Sequence, residues 1–256
     1  MINIDTYAYA SQLKTIDPLQ KFVFALITLG VCLWVDTLVI SLAVLFIMGW
    51  ITIQSGGTPL SLFIKLMLVP MAFLVIGVLT IAINVSSNPQ GFLFSLPIAG
   101  FWIGVSKVGM YEAGRLFFRV LGSVSCLYFL SLSTPMVDLL AVLRRLRVPK
   151  LIVEMMGLVY RFIFTLLETA DIMLTAQNSR LGYRNLSTGY RSLGALVATL
   201  FIRAYKRSND LFTSLEARGY DGDINVFEEP FEKSRKIYIV ALVVNTILVF
   251  VALSLK

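Results

Sequence analysis

The chain has 256 residues, of which 57% are hydrophobic and only 14% are charged. Soluble domains contain about 25% charged residues, so this composition excludes a soluble protein and indicates an integral membrane protein. Lys and Arg number 22 against 15 Asp and Glu, a net charge of +7, and histidine is absent. The absence of histidine excludes HExxH metal sites and Ser-His-Asp catalysis.

The sequence also contains no Gly-Lys pair, which excludes a phosphate-binding loop and predicts that this chain does not hydrolyse ATP itself. Cys32 and Cys126 lie in apolar runs, where a thiol is a small buried hydrophobe, and their spacing supports neither a disulfide nor a metal site. Residues 1–17 are polar, so no cleaved signal peptide is predicted. The excess of Lys and Arg over Asp and Glu is expected to orient the protein in the bilayer and to contact anionic lipid, not nucleic acid.

Five apolar segments are predicted to cross a hydrocarbon core of about 30 Å as helices, four of them in an N-terminal membrane region, residues 1–133. They are 22–35, 38–53, 60–83, 116–131 and 237–255. Only two residues separate the first two segments, which predicts a tight helical hairpin. Lys21 is expected to snorkel at the start of the first span, and Pro70 is predicted to kink the third.

Residues 92–110 form a further apolar stretch, but Pro97 and three glycines interrupt it. Counting this stretch as a sixth span would place the lysines of the first loops opposite the basic C-terminal half of the chain. Because Lys and Arg near spans favour the cytoplasmic side, we interpret 92–110 as an interfacial or re-entrant segment. The N-terminus is then cytoplasmic and the C-terminus lies outside.

Residues 134–236 form a basic region that is predicted to be cytoplasmic, and residues 237–256 hold the C-terminal transmembrane helix. Between residues 141 and 207 there are eleven Lys and Arg against three acidic residues. A charge at the middle of a bilayer costs about 2.5–3.5 kcal/mol on insertion scales. Amphipathic helices under the membrane therefore fit this region better than further spans.

Three such helices are predicted. Thr134 is an N-cap for the first, Pro135 takes its first helical position, and Val148-Pro149 ends it. The other two are 150–178 and 188–218. Polar residues recur every three or four positions in 150–178, which gives one narrow polar stripe on an apolar rod. Because such a rod must pack against apolar neighbours, we expect a membrane-embedded partner.

The two long helices end in segments that place an arginine beside a glycine, Asn178-Ser179-Arg180-Leu181-Gly182 and Glu216-Ala217-Arg218-Gly219-Tyr220. Helix termination alone would explain them, since glycine caps helices and a cation favours the C-terminal end of the helix dipole. The alternative is docking, in which a guanidinium at a rigid helix end binds carboxylates or carbonyl oxygens of a partner. Paired arginines would suit paired soluble partners.

The N-terminal segment Ile4-Asp5-Thr6-Tyr7-Ala8-Tyr9, followed by Leu13 and Asp17-Pro18-Leu19-Gln20-Lys21, resembles the start of the CbiQ family. Members of that family are transmembrane (T) components of energy-coupling factor (ECF) transporters for cobalt. The arginine segments resemble the pair of short motifs of T components, here Ser179-Arg180-Leu181 and Ala217-Arg218-Gly219. The second matches the familiar Ala-Arg-Gly form, whereas the first keeps only the arginine. The resemblance covers essentially the whole chain.

The resemblance implies an all-α, non-catalytic scaffold in an ABC-type importer of a prokaryotic inner membrane. Two ATP-binding cassette ATPases, which use ATP and Mg²⁺, would each dock on one arginine motif, and a separate membrane-embedded S component would bind the substrate. The T component would hold no metal or cofactor. The coupling-helix residues expected to contact the S component are Leu143, Leu146, Ile163 and Leu166. Cobalt is the favoured substrate, with nickel or a vitamin as alternatives.

A membrane-embedded enzyme is the alternative from another class. Asp221 and Asp223 could hold Mg²⁺ for a lipid or polyprenyl substrate, with Glu228 and Glu229 nearby, although a solvated acidic loop explains the same residues. A self-sufficient carrier lacks support, since the spans show no buried ionisable pair and no inverted repeat. Copurification with ATPases would distinguish a T component from both.

Overall fold

A computed structural model describes residues 4–35, 37–86, 92–98, 101–220, 231 and 235–254. Within these ranges the helices are α1 Ile4–Ala10, α2 Pro18–Trp34, α3 Leu38–Trp50, α4 Leu60–Ala82, α5 Lys107–Ser133, α6 Met136–Arg145, α7 Lys150–Ser179, α8 Leu186–Ala217 and α9 Arg235–Ser254. A π-helical stretch, Ile51–Ser55, extends α3. The strands are β1 Ile83–Ser86, β2 Phe92–Ile98 and β3 Phe101–Ser106. The prediction of an all-α membrane protein is confirmed in its main part, and the three short strands are the exception.

Two compact units divide the chain, residues 1–142 with 230–256, and residues 143–229. The first unit contains the apolar helices, and α5 lies at its centre in contact with α1, α2, α3 and α4. α9 packs against α2 and α3. One core cluster includes Phe24 and Phe129, whose rings meet edge to face with centroids 5.6 Å apart. A second cluster forms where α4 packs against α5, around Leu66 and Leu132.

The five predicted spans correspond to α2, α3, α4, α5 and α9. In the part of the chain that the structure describes, three helical stretches are apolar and long enough to cross a membrane, whereas two apolar helices are shorter. The long ones are Leu38–Ser55, Leu60–Ala82 and Lys107–Ser133, and the shorter ones are Pro18–Trp34 and Tyr238–Ala252. Large apolar side chains on these helices remain exposed, such as Phe73 at 80%. Such a surface fits a multi-pass membrane protein.

The segment before the fourth span differs from its prediction. α5 begins at Lys107 and not at residue 116, so Arg115 and Arg119 lie inside the helix. The preceding residues of the predicted interfacial segment form β2 and β3, with β3 between β1 and β2 in an antiparallel sheet. Phe101-Trp102-Ile103 favours a strand, since aromatic and β-branched residues fit a pleated surface. The interfacial location of this segment stays a prediction.

Pro70 lies inside α4, and a residue of α5 compensates for it. Because proline has no N–H, the carbonyl of Leu66, four residues earlier, loses its helical donor. The Tyr128 hydroxyl donates to this carbonyl at 3.0 Å. Since the interior of a bilayer offers no water to replace the lost bond, the hydroxyl satisfies a group that α4 cannot satisfy itself.

The sequence predicts that Lys21 snorkels, and this is wrong, because the Lys21 side chain is fully buried. Its ammonium group donates to the carbonyl oxygens of Leu13 at 3.0 Å and Ser133 at 2.8 Å. Ser133 is the last residue of α5, where carbonyls lack helical donors and a cation is favourable. Nearby, the Asp17 side chain caps α2 by accepting from the N–H of Leu19 at 3.1 Å. These bonds give the N-terminal segment a structural role.

The second unit contains the end of α6 together with α7 and α8, which contact each other. The predicted helices 150–178 and 188–218 are confirmed to within two residues at each end. α8 begins with a capping box, in which the N–H of Asn185 donates to the Thr188 hydroxyl at 3.1 Å. Val153 in α7 and Leu196 in α8 are buried, but most other side chains of these helices are partly or fully exposed.

Candidate functional site

The helices α6, α7 and α8 end in the same backbone turn. In each turn an N–H donates to the carbonyl oxygen five residues earlier. The pairs are Val148 to Leu143 at 3.2 Å, Gly182 to Gln177 at 2.8 Å and Tyr220 to Leu215 at 3.0 Å. The left-handed residues before these donors are Arg147, Leu181 and Gly219, with φ of 62°, 57° and 74°. This arrangement is the Schellman motif, which satisfies the last carbonyls of a helix.

Arg180 and Arg218 hold the same position in two of these turns. Each directly follows the last helical residue, with a φ of −95° in both cases and a ψ of 15° for Arg180 and 6° for Arg218. Leu146 holds the corresponding position after α6. The shared turn therefore matches the two predicted arginines to each other, and the leucine at this position sets α6 apart.

Both arginines are exposed, and their immediate neighbours are exposed as well. These neighbours are Ser179, Leu181, Ala217 and Gly219. Among the residues that the structure describes, neither guanidinium has a hydrogen-bond or ion-pair partner. The same is true of other surface arginines such as Arg191. The shared position at a fixed helix end, and not exposure alone, therefore distinguishes Arg180 and Arg218.

The two arginine turns flank α8, one before its start and one after its end. α8 has 32 residues, and at 1.5 Å per residue a helix of this length spans about 48 Å. Two contact points at such a separation can engage two partner subunits at the same time.

Side-chain hydrogen bonds fix the connection between α7 and α8. Gln177 donates through Nε2 to the carbonyl of Ser192 at 3.0 Å and accepts from the Tyr183 hydroxyl at 2.7 Å. The Ser192 hydroxyl donates to the carbonyl of Gly182 at 2.9 Å. A Cβ atom at Gly182 would lie 2.7 Å from the Ser192 hydroxyl oxygen and 2.9 Å from the Gln177 carbonyl oxygen. Residues on both sides therefore hold the connection that presents Arg180.

The turn after α8 is tied to the start of α7. The Tyr220 hydroxyl donates to the Glu154 carboxylate at 3.4 Å, a long hydrogen bond. The space around Gly219 is open, with no atom within 4 Å of a Cβ atom placed there. Its φ of 74°, and not a close approach, is therefore the reason for glycine at this position.

The glycine beside the first arginine has a different role from the predicted one. The sequence predicts that Gly182 terminates α7, and this is wrong, because Leu181 is the left-handed residue. Gly182 is the next residue, where close packing leaves no room for a side chain. At the second turn the prediction is confirmed, since Gly219 is left-handed. The two segments differ in spacing, since glycine directly follows Arg218 but follows Arg180 only after Leu181, but this spacing alone does not identify the left-handed residue.

The residues predicted to contact an S component lie partly or fully exposed on the second unit. Ile163 is 47% exposed and Leu146 is 51% exposed, while Leu143 and Leu166 are half-buried. Exposed apolar residues recur at helical spacing on both long helices. They are Ile152, Met155, Val159 and Ile163 on α7, and Tyr190, Leu193, Val197, Phe201 and Tyr205 on α8. Such continuous apolar faces mark contact surfaces, but their partner stays a prediction.

The residues of the alternative enzyme hypothesis, Asp221 and Asp223 with Glu228 and Glu229, lie outside the described residues. Among the residues that are described, no group of three or more His, Cys, Asp or Glu could hold a metal ion. Cys32 and Cys126 are buried and free, as the sequence predicts.

Comparison with known proteins shows similarity over nearly the whole chain. Residues 10–228 match the sequence model of the CbiQ family, described as cobalt transport protein. The chain is 33% identical over 253 residues to the uncharacterized protein MJ1089 of Methanocaldococcus jannaschii, covering 99% of this chain and 93% of that protein. It is 31% identical over 229 residues to the cobalt transport protein CbiQ of Salmonella typhimurium, covering 88% of this chain and 100% of that protein.

Another relative is the energy-coupling factor transporter transmembrane protein EcfT of Staphylococcus aureus, 29% identical over 234 residues, with 82% of this chain and 80% of that protein covered. Together with the apolar helices, these matches define a transmembrane component of an ECF-type transporter. The chain belongs to the CbiQ family of cobalt transport proteins. The resemblance inferred from the sequence is therefore confirmed.

Proposed function

We propose that this chain is the T subunit of an ECF-type importer, which couples ATP hydrolysis by two partner ATPases to cobalt uptake through a separate S component. The observation that carries this proposal is the matched pair of turns that present Arg180 and Arg218 in the same backbone geometry. The relatives named as cobalt transport protein CbiQ and as EcfT support the class of transporter and its substrate.

Each arginine would anchor one ATP-binding cassette ATPase. A guanidinium presents a planar set of donors that matches carboxylates or helix-end carbonyls, so it can bind them in a bidentate way. Because the hydrogen bonds of each turn hold the backbone behind the arginine, movement of an ATPase would be passed to the helix and not absorbed by a loose loop. ATP and Mg²⁺ would be used by the ATPases, and this chain would supply no catalytic group.

The exposed apolar faces of α7 and α8 would contact the membrane-embedded S component. Ile163 and Leu166 lie on α7, Leu143 lies near the end of α6, and Leu146 directly follows that helix. When the ATPases close, the helices would move together with their arginine ends and tilt the S component. In this arrangement the S component holds the metal ion, so nickel or a vitamin would require a different S component and no different site on this chain.

The protein would lie in the inner membrane of a prokaryote with its N-terminus in the cytoplasm and its C-terminus outside. The arginine turns are then on the side where ATP is available. The support for this orientation is the concentration of Lys and Arg in residues 134–236.

Charge reversal at a single arginine tests the proposal. In Arg180→Glu or Arg218→Glu, the acceptors of an ATPase would face a carboxylate. Losing one side of a buried charged contact costs about 2–5 kcal/mol, which corresponds to a loss of roughly 30-fold or more in affinity. We expect each variant to retain less ATPase during copurification in detergent.

Arg191→Glu is the matched control, because Arg191 is an exposed arginine of α8 outside both turns. Lysine at position 180 or 218 should be partly tolerated, since it keeps the charge and loses the planar donors. Equal ATPase recovery from both single reversals, the control and the wild type would refute the docking role.

A further inference from the structure

The two arginine turns share a backbone but differ in the residue that follows the arginine. Leu181 and Gly219 hold the same left-handed position, with φ of 57° and 74°. The side chain of Leu181 is 65% exposed. At Gly219 no side chain is present, although the space around its Cβ position is open. One turn therefore presents an arginine alone, and the other presents an arginine beside an apolar side chain.

Leucine is an unfavourable choice for this position within the isolated chain. A left-handed backbone brings Cβ close to the following carbonyl oxygen, so glycine is the residue that adopts it without strain. Because most of the leucine side chain is exposed, it also contributes little of the free energy that burial of apolar surface provides. Packing inside this chain therefore does not account for leucine at position 181.

The surrounding hydrogen bonds hold the strained turn in place. The N–H of Leu181 donates to the carbonyl of Asn178 at 3.0 Å, and the N–H of Gly182 donates to that of Gln177 at 2.8 Å. The Gln177 side chain is itself held by Tyr183 and Ser192. Strained residues persist where neighbours over-determine them, and they concentrate at binding sites. The backbone of Leu181 is thus held next to Arg180, which sets the direction of its Cα–Cβ bond.

We propose that Leu181 is a second recognition residue at the end of α7, inserting into an apolar pocket of the ATPase beside the acceptors of Arg180. This inference rests on the proposed function, because it assigns the same partner to both residues. The partner that covers the Leu181 side chain is the ATPase and not lipid, because Leu181 adjoins an exposed guanidinium on the same turn. The two ATPase contacts are then chemically different, with an apolar element at the Arg180 end that the Arg218 end lacks.

The test measures affinity between detergent-purified variants of the full chain and the ATPase that copurifies with the wild type. Leu181→Asn keeps a residue that tolerates the left-handed conformation but removes the apolar contact, and Leu181→Gly also relieves the strain. We expect either variant to bind about tenfold more weakly. Leu181→Met should bind as the wild type does. The melting temperature of Leu181→Gly should equal or exceed that of the wild type.

Leu186→Asn is the matched control, because Leu186 is an 84% exposed leucine a few residues away, at the start of α8. The affinity of the Leu186→Asn variant for the ATPase should equal that of the wild type. The inference is overturned if Leu181→Asn and Leu181→Gly bind like the wild type, if Leu181→Met is as weak as they are, or if the control weakens equally. Normal binding by the Leu181 variants beside defective Arg180→Glu overturns this inference alone. Normal binding by both arginine reversals would instead overturn the proposed function.

Discussion

Lys21 is fully buried, although lysine is almost always exposed in proteins. Its three donors explain why burial is tolerated, since two of them reach carbonyl oxygens in different parts of the chain. One of those carbonyls ends α5 and the other belongs to the segment before α2. A single side chain therefore joins the N-terminal segment to the end of the central helix.

Replacing this side chain should destabilise the protein measurably. Lys21→Met preserves much of the shape but leaves the carbonyls of Leu13 and Ser133 without a donor, which costs about 1–3 kcal/mol for a buried polar group. We expect a lower melting temperature in detergent. Lys65→Met is the control, because Lys65 is exposed at the start of α4, and equal melting of the two variants would contradict this role for Lys21.

The sequence identified the two arginines but not the difference between their turns. Spacing placed Arg180 and Arg218 at helix ends, because helical periodicity stops there. The conformation of Leu181 could not be predicted, since glycine normally signals a left-handed residue and a glycine stands one position further on. Gly182 is needed for a contact with Ser192, which lies ten residues away. Such tertiary contacts leave no local pattern.

At the scale of helices, Pro70 and Tyr128 show how one element completes another. The sequence places Pro70 within a predicted span, but it does not indicate which residue satisfies the carbonyl that loses its helical donor. That residue lies far along the chain, on α5, and becomes apparent only when α4 packs against α5. The start of α5 was missed for a related reason, because its first turns carry charged residues that a search for apolar segments rejects.

A double-mutant cycle tests the pairing of Pro70 with Tyr128. Tyr128→Phe alone removes the donor to the Leu66 carbonyl and should cost about 1 kcal/mol of stability or more. In a Pro70→Ala background the restored N–H can bond that carbonyl, so the same substitution should cost clearly less. Melting temperatures of the four proteins in detergent measure the coupling. Equal costs of Tyr128→Phe in both backgrounds would show that the hydroxyl does not serve the proline.

The apolar face of α7 provides a second test at this scale. Ile163→Asp places a charge on the surface proposed for the S component, and a charge buried in a contact without a partner costs several kcal/mol, on the order of 3 or more. We expect loss of the S component from the purified complex. Glu168→Gln, on the exposed polar stripe of the same helix, should be mild. Wild-type yield and uptake in both variants would mean that the contact face is assigned wrongly.

For the whole molecule, composition and periodicity predicted the apolar helices and the long helices of the basic region, whereas the division of the chain at residues 133 and 236 stays a prediction. The strands between α4 and α5 were not predicted, because glycine and proline obscure the alternation of residues 92–106. Orientation in the membrane follows from charge alone and is open to a direct test. The N-terminus and residues 134–236 are predicted inside, and the C-terminus outside.

Single-cysteine labelling in a background without Cys32 and Cys126 measures this orientation. An impermeant reagent applied to intact cells should label a cysteine added after the C-terminus and leave a cysteine at position 225 unmodified until the membrane is opened. Labelling at position 225 from outside would reverse the predicted topology and place the arginine turns on the wrong side for ATPases.

ATP-driven uptake by the double variant Arg180→Glu/Arg218→Glu tests the central claim most directly, because it removes both proposed ATPase contacts at once. Radioactive cobalt uptake and ATPase recovery are measured together in cells that express the complete transporter, with membrane insertion confirmed by fractionation and Arg191→Glu as the control. We predict that the double variant inserts normally, loses its ATPases and takes up no cobalt, while the control behaves as the wild type. A double variant that retains its ATPases and transports normally would show that these arginines only terminate helices.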